Sequence, residues 1–309
     1  PHSMATRRAA RQVADQAAMR TDPGKITLPG LWQAAKLWRH KRRWARRNIA
    51  RQADADALIV SHTKSGRTWL RIMISYLYHL RYNTPESMIL DYDNLHRLNP
   101  AIPRLYFNRD TRVPTFGRHD GHVGVPADKK VLFLVRDPRD VAVSFCFHIR
   151  NRASARELSR KGIPPDAGSL SLYEFVTHDR LGIPRVIEHF NRWHEEMQAM
   201  PSTLLVHYES MRAEPETTLD RIMRFLDRPF SEQELQQAVA FAAFDSLARK
   251  EKDGFFDSGR MRPTDPNDAG SFKVRRGKVG GYRDYFTEEE NAVIDAMVRE
   301  RLNPEFGYD

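Results

Sequence analysis

The 309-residue chain predicts an α/β fold: a doubly wound, mainly parallel sheet flanked by helices. Three observations predict it. Leu58-Ile59-Val60 and Val131-Leu132-Phe133-Leu134-Val135 are short continuous apolar runs, the pattern of strands buried on both faces. Each passes through a short polar loop into a run with apolar residues at helical spacing, Leu70 to Leu77 in one case and Val141 to His148 in the other. Leu204-Leu205-Val206 repeats the strand pattern, with helix-forming sequence between the strands. Strands alternating with helices pair in parallel, and such sheets take ligands across the carboxyl ends of their strands.

In chain order, strands are expected at 57–61, 131–135 and 203–207. Helices are expected at 68–80, 140–152, 170–178, 184–199, 215–226, 231–241 and 287–302. Ser231 and Glu234 form a capping box at the start of one of them. Val113 to Phe116 is strand-like. Arg150 to Leu170 and Lys252 to Gly270 are polar, contain Pro or Gly and lack periodicity, and they read as lids over a pocket.

Charge divides the chain into residues 1–51 and residues 52–309. The first part holds thirteen basic and two acidic residues, a net +11, against +10 for the whole chain. The remainder, which is long enough to bury a core of its own, is therefore near neutral. Pro1-His2-Ser3-Met4 reads as a cloning remnant. Leu31, Ala34, Ala35, Trp38, Ala45 and Ile49 recur at roughly helical spacing among basic residues. An amphipathic basic helix over 31–50 could lie on an anionic membrane surface or pack with its basic face in water. The single Cys146 rules out an internal disulfide and fits a reducing compartment; no zinc-type spacing, membrane-spanning run or secretory leader is visible. The expected location is cytoplasmic, with the inner membrane surface as a site of peripheral attachment.

Both strand–loop–helix segments carry positive charge where the strand ends. The first is Ser61-His62-Thr63-Lys64-Ser65-Gly66-Arg67-Thr68-Trp69. Backbone N–H groups at a helix start, aided by the helix dipole, bind anions, and Lys64 adds a point charge. A Walker A motif needs its Lys after the second Gly and a Ser or Thr for magnesium, and this loop has neither. The second is Arg136-Asp137-Pro138-Arg139-Asp140, with Ser144 eight positions after Arg136 and about two helical turns on. A third cationic stretch, Phe272-Lys273-Val274-Arg275-Arg276-Gly277-Lys278-Val279-Gly280-Gly281-Tyr282-Arg283-Asp284-Tyr285-Phe286-Thr287, is Gly-rich backbone suited to wrapping an anion.

These three segments, in this order, resemble the P-loop-like sulfotransferases that use 3′-phosphoadenosine 5′-phosphosulfate (PAPS). The first resembles that family's 5′-phosphosulfate loop. The second is similar to its 3′-phosphate signature, and the third to its R-K-G-x-x-G-D-W-K-x-x-F-T segment. The resemblance runs from about Asp56 to the C-terminus. It implies that Lys64, Ser65, Gly66, Arg67 and Thr68 hold the 5′ end of the nucleotide and that Trp69 lies against its adenine. It implies that Arg136, Ser144, Arg275, Arg276 and Gly277 hold the 3′-phosphate. Tyr208, after the Leu204–His207 strand, and Phe244 match aromatics placed against the nucleotide. Departures are Gly281 for an acidic residue, Tyr282 for Trp, Ala242 for a frequent Thr, and His62-Thr63 for the usual Tyr-Pro. The family's dimer motif follows K-x-x-x-T-V; Thr287 is followed by Glu288, so no dimer motif is assigned.

The implied reaction is in-line transfer of a sulfuryl group from PAPS to a hydroxyl or amine of a small-molecule, lipid or glycan acceptor. Lys64 would stabilise the leaving phosphate, and no metal is expected because fixed cations serve. The family's base is a His just after a strand upstream of the 3′-phosphate loop. His119 follows Val113–Phe116 and is the expected base, with His122 as the fallback. His62 is expected to pack rather than react. No nucleic acid is expected as a partner. Two other classes stand beside this reading: a P-loop nucleotide kinase, which should fail on magnesium–ATP, and a non-catalytic binder of nucleotides or anionic surfaces.

Overall fold

Among the described residues of the computed structural model, four strands, β1 (Ala57–Ser61), β2 (Leu105–Asn108), β3 (Lys130–Val135) and β4 (Thr203–His207), form the sheet. The structure describes residues 50–90, 95–108, 129–256, 258, 261–274 and 276–308. His119, His122, Arg275, the strand-like Val113–Phe116 and nearly all of the basic 1–51 segment lie outside the described residues.

The strand order is β2-β1-β3-β4 and every pairing is parallel. From β1 the chain goes to one side to make β2, then returns to the other side to make β3. The order therefore reverses at β1 and β3, the place where open α/β sheets bind ligands. The registers Ser61↔Leu134 and Val135↔His207 bring the carboxyl ends of β1, β3 and β4 side by side.

The helices are α1 (Arg67–Tyr82), α2 (Leu95–Leu98), α3 (Pro138–Asn151), α4 (Ala155–Lys161), α5 (Leu172–Thr177), α6 (Ile183–Gln198), α7 (Tyr208–Ala213), α8 (Pro215–Phe225), α9 (Glu232–Phe241), α10 (Phe244–Lys252) and α11 (Glu288–Arg301). Strand alternation sorts the core into two layers. Ile59, Leu132, Leu134 and Val206 face one apolar cluster with Leu70, Ile74, Leu219 and Leu235 from α1, α8 and α9. Leu58, Val60, Val131, Phe133 and Val135 face the other, with Val141, Ile187, Trp193 and Val298 from α3, α6 and α11. The central strands are buried on both faces, which is why they read as continuous apolar runs.

Three departures from expectation have physical causes. β2 is an edge strand of four residues just after Pro103, too short to show a period. α10 occupies a tract for which no helix was expected, just ahead of the Lys252–Gly270 stretch; its Lys and Arg residues hide a buried face of Leu247 and Glu251. The 150–170 segment carries α4 and a 3₁₀ turn rather than an irregular lid. Ile163 and Ala167 are buried there with Phe145, Cys146 and Phe175, and Arg150 donates to the carbonyls of Gly168 and Leu170. Cys146 forms no disulfide and is buried.

Candidate anion and nucleotide site

The loop between β1 and α1 is shaped by two residues with positive φ, Lys64 at 78° and Gly66 at 92°. A left-handed lysine costs about 1–2 kcal/mol, a strain that persists only where the surroundings impose it. Gly66 has a second reason to be glycine: a Cβ there would lie 2.5 Å from the ring of Tyr208. As N-cap, Gly66 supplies no side-chain bond to α1; its carbonyl takes the N–H groups of Trp69 at 2.9 Å and Leu70 at 3.2 Å, which leaves the helix start ahead of them uncapped by any side chain. The Ser65 hydroxyl is fully buried and has no hydrogen-bond partner among the described residues. Orphaned donors beside an uncapped helix start form an anion cradle.

Arg136 closes the opposite side. Its guanidinium lies 4.4 Å from the centre of the Tyr208 ring and donates to Asp140 at 3.0 Å and to the Lys278 carbonyl at 3.2 Å. Its Nε is buried without an acceptor among the described residues. Asp140 also accepts from the N–H groups of Gly280 and Tyr282, each at 3.0 Å. One carboxylate thereby joins Arg136 to the Gly-rich segment near the C-terminus. In that segment Arg276 pairs with Asp284. Gly277 has φ 59°, and a Cβ there would lie 2.9 Å from the Phe244 ring.

Trp69 and Tyr208 meet edge to face at 5.8 Å, and the Trp69 indole donates to the Ala242 carbonyl at 2.8 Å. The structure thus gathers Gly66, Trp69, Arg136, Tyr208, Phe244 and Gly277 into one linked cluster. Ser144 sits on α3, two turns beyond Arg136, with no hydrogen bond from its hydroxyl among the described residues. Arg67 turns back to donate to the Ser61 hydroxyl at 2.9 Å, and Thr68 lies in the first turn of α1.

Positive charge is concentrated around the loop. Burial, followed by Lys64 and Arg152, pushes the Lys273 ammonium well below its ordinary pKa. A set of cations held this close calls for a polyanion. His62, by contrast, lies beneath the loop with His189, ring centres 5.4 Å apart. Burial pushes its pKa down to about 3, so it is a neutral packing group. Four useful residues escape a reading of the sequence. Arg212 stacks 5.6 Å from the Trp69 ring, and its i,i+4 spacing from Tyr208 was the available signal. Asp140 and the His148–Glu157 pair act through contacts that local sequence does not announce.

Comparison with known proteins follows the same outline. The family pattern described as "Sulfotransferase domain" matches residues 54–304. Cytosolic sulfotransferase 12 of Arabidopsis thaliana is 25% identical over 268 residues, 81% of this chain and 78% of that relative. Amine sulfotransferase of Oryctolagus cuniculus is 22% identical over 259 residues, 81% of each. Among solved structures, a mouse sulfotransferase complexed with PAP shares the fold with TM-score 0.51 and 20% identity, covering 80% of this chain and 84% of that one.

Proposed function

The chain belongs to the sulfotransferase family, and we propose that its linked loops hold PAPS for sulfuryl transfer to a small-molecule hydroxyl or amine. It is a PAPS-dependent sulfotransferase; the residue roles and the acceptor are the proposal. The single observation that carries it is the pairing of an uncapped, positive-φ loop at β1 with the Asp140-braced Arg136 at β3, both on Tyr208.

The residues present fit the nucleotide. The N–H groups of the first turn of α1, with Ser65 and Thr68, suit the 5′-phosphate. Arg136, Ser144 and Arg276, with Arg275 next to it in sequence, suit the 3′-phosphate. Trp69, Tyr208 and Phe244 supply aromatic faces for the base. PAPS supplies the sulfuryl group and its phosphate leaving group. Lys64 supplies positive charge where the leaving phosphate becomes more negative, a stabilisation that grows toward the transition state. His119, or failing it His122, receives the acceptor's proton.

The acceptor class follows from the family: relatives are named for amine and flavonol substrates. Among the described residues no helix is long and apolar enough to cross a membrane. A cytoplasmic protein whose basic 31–50 segment touches anionic lipid is the proposed setting; deleting residues 5–51 should then abolish liposome binding, and unchanged binding would refute the lipid contact. Calorimetric titration with 3′,5′-ADP, the desulfonated product, tests the cofactor. Metal-free binding that exceeds binding of magnesium–ATP supports it, and the reverse preference would return the chain to the kinases.

A further inference from the structure

A histidine that the mechanism above does not use lies close enough to Lys64 for that ammonium to act on its charge. His148 lies on α3, one turn beyond Ser144. Its ring stacks on Phe145 at 6.3 Å, and Phe145 in turn meets His62, two residues before Lys64. Nε2 of His148 lies 3.2 Å from the Glu157 carboxylate on α4. Glu157 also takes the Lys161 ammonium at 2.7 Å, and that ammonium lies 5.5 Å from the centre of the Phe145 ring. Nδ1 of His148 makes no hydrogen bond among the described residues.

We propose that His148 is an acceptor-binding residue: Glu157 holds its Nε2–H, and Nδ1 accepts a hydrogen bond from an O–H or N–H of the sulfuryl acceptor. The proposal rests on the sulfotransferase reading and deepens it by naming what the acceptor must carry. A carboxylate on one ring nitrogen fixes the tautomer and leaves the other nitrogen as a hydrogen-bond acceptor. Such a nitrogen on an aromatic wall suits a neutral hydroxyl or amine and offers nothing to a carboxylate. The groups facing His148 are Glu157 and Lys161 from α4 and Lys64 from the phosphate loop. Burial first, then Lys64 and Lys161, favour the neutral imidazole, against the pull of Glu157. Lys161 is engaged by Glu157 and so does not present an open cation here.

The test uses the full chain with 3′,5′-ADP bound. Long-range ¹H–¹⁵N spectra, with His148→Asn for assignment, report the tautomer without any acceptor. The expected result is the neutral Nε2–H form from pH 6 to 8, with Glu157→Gln mixing the tautomers. A cationic ring at pH 7, or Nδ1–H, would overturn the proposal. Radiolabelled PAPS with 2-naphthol, dopamine and 4-hydroxybenzoate then reads the consequence. His148→Phe should lower kcat/KM for dopamine by roughly 100-fold, because a paired donor is left unmatched, and should leave 2-naphthol, whose single O–H goes to the base, nearly unchanged. His148→Asn, whose amide oxygen can accept, should recover part of the loss. Equal loss in both variants, or a preference for the benzoate, would contradict it. Affinity for 3′,5′-ADP should not change in either variant. If the unaltered chain failed to bind 3′,5′-ADP, the cofactor reading would fail instead.

Discussion

The two strand–loop–helix segments share one layout and use it in opposite ways. At β1 the helix that follows has Gly66 at its N-cap and no side chain closing its first turn. At β3 the helix that follows is already closed: Asp137 accepts from the Arg139 N–H at 2.8 Å, and Pro138 fills the first turn. The first candidate site therefore offers backbone and the second a side chain, Arg136. The lesson is that a helix N-terminus after a strand is not by itself an anion site. What matters is whether the chain has spent those donors on its own cap.

The comparison breaks most severely at Gly66. Gly66→Ala adds a left-handed non-glycine and a clash with Tyr208, together about 3–4 kcal/mol. We expect affinity for 3′,5′-ADP to fall by more than roughly 100-fold, measured by calorimetry. Retained affinity would mean that the loop is not the cradle.

Arg136→Ala should cost about 2–3 kcal/mol of binding to the same ligand, the range for a hydrogen bond to a charged group. Arg136→Lys should recover little, since an ammonium cannot both stack on Tyr208 and reach two oxygens. Full recovery would reduce Arg136 to a point charge.

The floor beneath the first loop sharpens the contrast in another way. His62 and His189 are buried and neutral, with pKa values depressed by burial. Their folded pKa lies below the unfolded value, so the stability they contribute is complete above about pH 6.5 and falls as the pH drops. Each should cost about 2 kcal/mol between pH 7 and pH 5. Urea midpoints at the two pH values test it: His189→Leu should remove about half of the combined loss. An unchanged loss would mean that the pair takes up protons without strain.

Trp69→Phe is the mildest change. It removes one hydrogen bond to the Ala242 carbonyl and keeps an aromatic face. About 1 kcal/mol, less than a tenfold change in affinity, is expected. A larger loss would show that the indole itself touches the ligand.

Much of the molecule was legible because its signals are local. Strands 57–61 and 203–207 agree with expectation residue for residue, and the Ser231–Glu234 capping box forms as predicted. Buried parallel strands advertise themselves by composition, and Gly66 by its type. Residues that act across the chain were silent. Asp140 reads as the end of an Arg-Asp turn, yet its partners are 140 and 142 residues away. Glu251 looks like one charge in a basic helix; buried, it accepts from the N–H groups of Lys273 and Val274 and so fixes the start of the Gly-rich segment. Pairings of this kind depend on the tertiary fold and carry no period.

One measurement tests the central claim most directly: binding of 5′-AMP, 3′-AMP and 3′,5′-ADP to the unaltered chain, to Gly66→Ala and to Arg136→Ala. A backbone-built 5′ site and a side-chain-built 3′ site predict that Arg136→Ala weakens 3′-AMP and 3′,5′-ADP but leaves 5′-AMP nearly untouched. Gly66→Ala should show the reverse between the two monophosphates. Equal weakening of 5′-AMP and 3′-AMP by each variant would contradict the division of labour and merge the two loops into one undivided anion site.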